Sequence, residues 1–217
     1  MDYFLKLFLS GTAKGSIYAL IALGYTMVYG IIQLINFAHG EVYMIGGFTA
    51  LIFGGFFYIM GMPVWMVLLL SVILAILFSA AFGFTIERIA YRPLRNKPRL
   101  SALISAIGIS MILQNFVLLA QTEKYLSYPS YLPEFVFLQP FRQYINSTQF
   151  IILIVTAAIM VFLTALIKFT RIGKAMRATA QDKDMAQLVG VNINQVISIT
   201  FIIGSALAAV GGVLICS

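Results

Sequence analysis

Six long runs of apolar residues alternate with shorter polar or basic stretches along this chain. Each run is close to the roughly 20 residues that an α-helix needs to cross the hydrocarbon core of a bilayer. A β-barrel would instead show short segments of alternating polarity, and these are absent. The pattern therefore predicts an all-α, polytopic transmembrane helix bundle. The six predicted spans are Ile17–Ile35, Val42–Met60, Val64–Ile86, Leu100–Ala120, Phe150–Phe169 and Val196–Ile215.

The composition favours a membrane protein over a soluble one. Of the 217 residues, 61% are hydrophobic and 10% are charged, whereas soluble domains average roughly 25% charged residues. A net charge of +7 also occurs in nucleic-acid-binding domains, but here most basic residues lie in two short clusters between apolar runs. Membrane proteins carry cytoplasmic charge in this way.

Two basic connectors orient the predicted helices. The connectors Glu87–Arg99 and Lys168–Lys183 each hold five Arg and Lys residues. The positive-inside tendency places both in the cytoplasm, so residues 121–149 between them face outward. The first three runs leave a parity problem, because Lys6 and Lys14 favour an internal N-terminus while three full crossings put it outside. Either these lysines are overridden, or one early run does not cross fully.

A polar interruption separates the first two runs, over Asn36–Glu41. Polar, non-helical backbone at membrane depth is tolerated only where protein or a cavity surrounds it, so we predict a broken or re-entrant early helix here. A bend at Gly40 would be needed to bring His39 and Glu41 together. Capping of helix ends is the alternative role for these polar groups. The residues predicted to line a translocation pathway are Asn36, His39, Glu41, Gln114 and Asn115.

Small residues recur at every fourth position in three of the predicted spans. Such rows let helix backbones approach closely, and we expect each row to pack inside the bundle rather than against another subunit. The rows are Gly46, Ala50 and Gly54; Ala102, Ala106 and Ser110; and Gly204, Ala208 and Gly212.

The sequence holds no catalytic constellation. The phosphate-binding G-x-x-x-x-G-K-[ST] loop and the G-x-S-x-G and H-E-x-x-H motifs are all missing. His39 is the only histidine and Cys216 the only cysteine, so neither a two-histidine metal site nor an internal disulfide is possible. We expect no enzyme activity, no resident metal and no cofactor.

The polar stretch Arg171–Asn194 is long enough to hold a short helix outside the membrane. Asp182 is predicted to cap a helix that Gly190 ends, and Thr179 with Asp182 is an alternative capping pair. This helix is either a solvated loop element or a docking element for a cytoplasmic partner.

Three separate stretches, Tyr29–Gly47, Ile86–Asn115 and Thr170–Gln195, resemble the permease subunits of bacterial branched-chain amino acid ABC importers, and among them the H-type subunit of the leucine/isoleucine/valine system. The resemblance implies one permease domain over residues 1–217, in the bacterial inner membrane, with a cytoplasmic coupling segment at 170–194. Family members continue with more membrane helices, so the chain is expected to be C-terminally truncated.

The resemblance also implies partners. These are a second permease subunit, two ATP-binding cassette subunits that bind the ATP, and a periplasmic amino-acid-binding protein. The alternatives are a permease for urea or related amides, whose sequences look similar, and a secondary transporter. The positions that match the family's ATPase-coupling region are Gly173, Arg177, Ala178, Asp182, Ala186 and Gly190.

Overall fold

A computed structural model describes residues 2–95, 97–120 and 145–216 of the chain. All regular structure in these ranges is helical, which confirms the predicted fold class. The α-helices are α1 (Asp2–Ile32), α2 (His39–Ile59), α3 (Val64–Ile86), α4 (Arg99–Ala120), α5 (Ser147–Phe169), α6 (Arg171–Gln181), α7 (Lys183–Leu188) and α8 (Ile193–Cys216). A π-helical turn (Glu87–Tyr91) and a 3₁₀ turn (Arg92–Leu94) extend α3.

Six of these helices (α1–α5 and α8) are long and apolar enough to cross a membrane, as the apolar runs predicted. The largest difference lies in the first span. Helix α1 begins at Asp2, fifteen positions before the apolar run starts, so Lys6 and Lys14 are helical residues rather than part of a leading tail.

Helix α8 forms the centre of the bundle and packs against α1, α2 and α3. Its small residues allow this crowding, because a Cβ on Gly204 would meet the Gly24 carbonyl oxygen at 3.2 Å and one on Gly212 would meet the Tyr43 carbonyl oxygen at 2.4 Å. The other rows are also internal, with Ala50 and Ala106 fully buried. Intramolecular packing of all three predicted rows is therefore confirmed.

A fourth row of small residues escaped the sequence analysis. Ser71, Ala75, Ser79 and Gly83 recur every four positions along α3, and all four are buried. A Cβ on Gly83 would overlap the Ser205 side chain of α8. Two of the four members are serine, which serves close helix packing as well as alanine does.

The connection between α1 and α2 lies at the same end of the bundle as the two basic connectors. The Lys183 ammonium group donates to the Ile32 carbonyl oxygen at 3.2 Å, and the Tyr91 hydroxyl lies 3.2 Å from the Ile35 carbonyl oxygen. This basic end, where α3 finishes and α4, α6 and α8 begin, is cytoplasmic by the positive-inside tendency. Helices α1, α2 and α3 therefore each cross, and the N-terminus of α1 lies at the opposite end.

This arrangement decides between the two solutions of the parity problem. The interruption is present, but it covers residues 33–38 and joins two complete spans instead of breaking one of them. The predicted break in the early helices is therefore confirmed, but it separates two helices that are each long enough to cross, and the two N-terminal lysines are overridden. Of the predicted outward segment 121–149, residues 121–144 lie outside the described residues; α5 begins at Ser147.

Candidate functional site

The α1–α2 connection is built from non-helical backbone at the basic end. Helix α1 ends at Ile32, and Gln33 takes a positive φ of 59°, the left-handed conformation that commonly ends helices. Asn36 in this connection is 5% exposed. Its side-chain oxygen lies 3.1 Å from the Tyr91 hydroxyl, which donates its single hydrogen either to this oxygen or to the Ile35 carbonyl.

His39 is the first residue of α2 and lies between α1 and α8. Its Nε2 is 3.3 Å from the Ile21 carbonyl oxygen, to which it donates in the tautomer that carries the hydrogen there. Gly24 makes room for the ring, because a Cβ at this position would come within 3.1 Å of it. The side chain is 3% exposed, so His39 joins helices and does not face an open passage.

Glu41 points away from His39 and toward α4. Its Oε1 accepts a hydrogen bond from the Ser110 hydroxyl at 3.0 Å. The two residues share the first turn of a regular helix, so the bend at Gly40 that would unite them does not occur. Glu41 is half-buried where α2 contacts α4. Of Asn36, His39 and Glu41, only Glu41 has a hydrogen bond to α4 among the described residues.

Gln114 and Asn115 lie one turn beyond Ser110 on α4, and both are exposed. The Asn115 amide donates to the Met111 carbonyl oxygen of its own helix at 2.7 Å. The five predicted pathway residues therefore form two groups. Asn36 and His39 are buried inside the bundle. Glu41 contacts α4, and Gln114 and Asn115 lie on the exposed side of α4 one turn further along.

A buried acid–base cluster at the basic end escaped the sequence analysis. Glu87 is fully buried and forms an ion pair with the Arg95 guanidinium group. Its second carboxylate oxygen accepts from the Ser198 hydroxyl at 2.7 Å, and Arg95 donates to the Asn194 side-chain oxygen at 2.6 Å. Burial lowers the pKa of the Arg95 guanidinium, and the neighbouring Glu87 carboxylate opposes that shift.

One sequence signal pointed to this cluster. Glu87 follows the apolar run of α3 without a break, and a carboxylate at that place needs a cation or water. The following connector also carries the positive-inside signal, and the sequence does not show that Arg95 returns to the carboxylate one π turn and one 3₁₀ turn later.

The predicted coupling segment folds as two short helices beyond the end of α5. Gly173 in α6 lies so close to α5 that a Cβ would overlap the Ile167 carbonyl group. Arg177 donates to that same carbonyl oxygen and so satisfies the C-terminal end of α5. Ala178 is half-buried, and its carbonyl oxygen accepts from the Asp182 backbone amide at 3.1 Å.

Helix α7 is held by its ends. The Asp182 carboxylate accepts from the backbone amides of Asp184 and Met185 at 2.9 and 3.0 Å, which confirms the predicted cap. Gly190 has a φ of 88°, as expected of a C-terminal stop. The alternative cap is wrong, because Thr179 lies inside α6 and donates to its Ala175 carbonyl.

Helix α7 presents opposite faces to the bundle and to solvent. Ala186 is buried, whereas Met185, Leu188 and Val189 are 61%, 81% and 78% exposed. Apolar side chains this exposed, outside the membrane, indicate a surface that contacts another protein. A cavity of about 570 Å³ lies behind α7, and its lining includes Ile32, Leu34, Arg95, Gln187 and Asn194.

Residues 7–217 match the family model of the branched-chain amino acid transport system permease component. The chain is 47% identical to the high-affinity branched-chain amino acid transport system permease protein LivH of Salmonella typhimurium, over 98% of this chain and 70% of the relative. LivH of Escherichia coli gives the same values. The corresponding protein BraD of Pseudomonas aeruginosa is 48% identical over 98% of this chain and 71% of the relative. No solved structure matches.

Proposed function

This chain belongs to the family of branched-chain amino acid transport permeases, and we propose from that premise that it is the H-type membrane subunit of an ATP-driven importer of leucine, isoleucine and valine. It is a multi-pass protein of the bacterial inner membrane, with six helices able to span. The observation that carries the proposal is the exposed apolar face of α7 on an otherwise capped and anchored cytoplasmic segment.

That face supports docking of an ATP-binding cassette subunit. Met185, Leu188 and Val189 would lose exposed apolar surface on binding, while Ala186 and Gly173 fix the segment to the bundle. One such segment on each of two permease subunits requires two cassette subunits. ATP is bound by those partners, and this chain contributes neither a nucleotide site nor a cofactor.

The exposed amides of α4 support a second permease subunit. Polar groups that face lipid lose hydrogen bonds to water, and the intrahelical bond to Met111 replaces only one of those of Asn115. Gln114 and Asn115 therefore favour a polar surface or a water-filled passage beside them. We place the translocation pathway between this face of α4, with Glu41 at its base, and the second subunit. A periplasmic binding protein delivers the amino acid at the end opposite α7.

Uptake into proteoliposomes that contain the chain and its three partner subunits and receive the periplasmic binding protein tests the substrate. We expect ATP-dependent accumulation of labelled leucine, isoleucine and valine and none of labelled urea. Urea accumulation would favour the related amide permeases. Accumulation that needs a proton gradient and no ATP would identify a secondary transporter, the second candidate, which the half-buried Glu41 supports.

The coupling role of α7 has its own test. Gly190→Arg forces a charged side chain into a positive φ, which distorts the end of α7, so we expect loss of cassette binding in a pull-down from detergent. Gly61→Arg is the matched control, since Gly61 also has a positive φ but lies at the α2–α3 turn, at the other end of the bundle. Equal cassette binding by both variants would contradict the coupling role.

A further inference from the structure

At the basic end of the bundle, the coupling segment and the turn that follows α3 both contact the polar α1–α2 connection or the residue just before it. Lys183 at the start of α7 donates to the Ile32 carbonyl oxygen, the last residue of α1. Tyr91 contacts the same connection from α3, at Ile35 and Asn36. The connection that carries Asn36 is therefore contacted from two sides. Lys183 of the coupling segment contacts one side, and Tyr91 contacts the other.

Tyr91 also contacts α8. Its ring lies 5.3 Å from the Phe201 ring, centroid to centroid, and both rings are 1% exposed. Helices α6 and α7 both contact α8. Because the aromatic pair is buried and close-packed, a displacement of α8 would shift the hydroxyl that contacts Asn36.

The buried cluster of Glu87 and Arg95 joins the end of α3 to the start of α8. Glu87 joins α3 to α8 through Ser198, and Arg95 joins the basic connector to α8 through Asn194. A buried ion pair contributes little net stability, but the loss of one partner leaves the other charge buried and unpaired, which strongly destabilises the protein. The pair therefore favours the one geometry in which the two charges meet. Here the geometry selected is that of α3 relative to the first turn of α8.

The backbone between the two fixed points is π-helical. Glu87 and Tyr91 are the first and last residues of that turn, and single π-helical turns are rare and occur frequently at functional sites. The cavity of about 570 Å³ behind α7 borders the same region, with Arg95, Asn194 and Ile32 in its lining.

We propose that Glu87, Arg95 and Tyr91 are positioning residues that transmit movement of the coupling segment (171–190) to the α1–α2 connection, with the π-helical turn as the deformable element. The inference rests on the proposed function, because it requires a cassette subunit to move that segment. None of the three residues needs to touch the transported molecule. They set the position of Asn36 and of the start of α2, which carries His39 and Glu41.

The test measures the accessibility of the α1–α2 connection directly. Phe37→Cys, at an exposed position of the α1–α2 connection, is placed in a Cys216→Ser background of the complete importer. The rate of its modification by a membrane-impermeant maleimide is measured without nucleotide and with a non-hydrolysable ATP analogue. We expect the nucleotide to change the rate about tenfold or more, as a shift between two states of the connection does.

Tyr91→Phe keeps the ring and removes only the hydroxyl, and Glu87→Gln keeps the shape and removes the charge. We expect the nucleotide response to fall at least about fivefold in Tyr91→Phe, the effect that one lost buried hydrogen bond has on such an equilibrium. The fall should be larger in Glu87→Gln, which leaves the buried Arg95 charge without its partner. Tyr18→Phe, exposed on α1, and Arg88→Gln, exposed beside Glu87, are the matched controls and keep the full response.

The outcomes separate the two proposals. A full response in both Tyr91→Phe and Glu87→Gln overturns the transmission role, as does the absence of any response in a Phe37→Cys importer that still accumulates amino acid. Loss of assembled complex in Tyr91→Phe also overturns it, because the role would then be structural. Failure of the unaltered importer to accumulate any branched-chain amino acid, with the nucleotide response intact, defeats the proposed substrate and leaves the transmission standing.

Discussion

At the scale of single residues, close packing and not polarity sets the strictest requirements. Gly46 of α2 has no space for a Cβ, which would lie 2.6 Å from the Ala209 Cα of α8. Gly55 of the same helix has no atom within 4 Å of the equivalent point. The sequence shows two helical glycines, and only the neighbouring helix distinguishes them.

Gly46→Ala is expected to destabilise the bundle by about 1–3 kcal/mol, the usual cost of overpacking against backbone. Gly55→Ala is the control and is expected to be neutral or slightly stabilising, because alanine favours helices over glycine. Thermal unfolding in detergent, monitored by size-exclusion chromatography, gives the unfolding midpoints of both variants. Similar midpoints for the two variants would contradict the close α2–α8 packing.

Thr156 illustrates an unsatisfied polar group. Its hydroxyl is buried on α5, at the side that packs on α1, and has no hydrogen-bond partner among the described residues. Thr156→Val preserves the shape and removes the unpaired group, so we expect a gain of about 1 kcal/mol in stability. Thr164→Val, which removes an exposed hydroxyl bonded to the Met160 carbonyl, is expected to give no gain in the same melting assay.

At the scale of elements, α7 shows how a very short helix is maintained. Six residues make too few internal hydrogen bonds to form a stable helix alone. The Asp182 cap, the left-handed Gly190 and the buried Ala186 supply the missing stabilisation. The sequence predicted the cap and the stop correctly, because both depend on neighbouring residues only.

Asp182→Ala is expected to cost about 1 kcal/mol in the local stability of α7. Amide hydrogen exchange over residues 183–188 should then be faster by roughly fivefold, while exchange in α6 changes little. Asp184→Ala is the control, since Asp184 contributes its backbone amide to the cap and not its carboxylate. Equal exchange in the two variants would show that the cap does not hold α7.

At the scale of the whole molecule, the crossing directions of α1, α2, α3 and α8 follow from contacts at the basic end. Lys183, Tyr91 and Arg95 bring the end of α1, the end of α3 and the start of α8 together. The number of crossings before the first basic connector is therefore three. Lys6 and Lys14 then lie outside, against the local positive-inside preference but outweighed by ten basic residues in the two connectors.

This topology predicts opposite accessibility for two introduced cysteines. In a Cys216→Ser background, Lys6→Cys should react with a membrane-impermeant maleimide in spheroplasts, whereas Lys174→Cys should react only after permeabilisation. The two sites lie in α1 and α6, at opposite ends of the bundle. Labelling of both sites only after permeabilisation would mean that one of the first three helices does not cross.

The sequence by itself determined the class of this protein, the six spans, the basic connectors and the ends of α7. Each of these depends on the length of an apolar run or on residues within one turn of each other. The tertiary structure alone decided that Glu87 pairs with Arg95, that Tyr91 reaches Asn36, and that His39 and Glu41 serve different helices. Those contacts join residues far apart in the chain, and the close approach of helices that creates them depends on small residues whose partners lie on other helices.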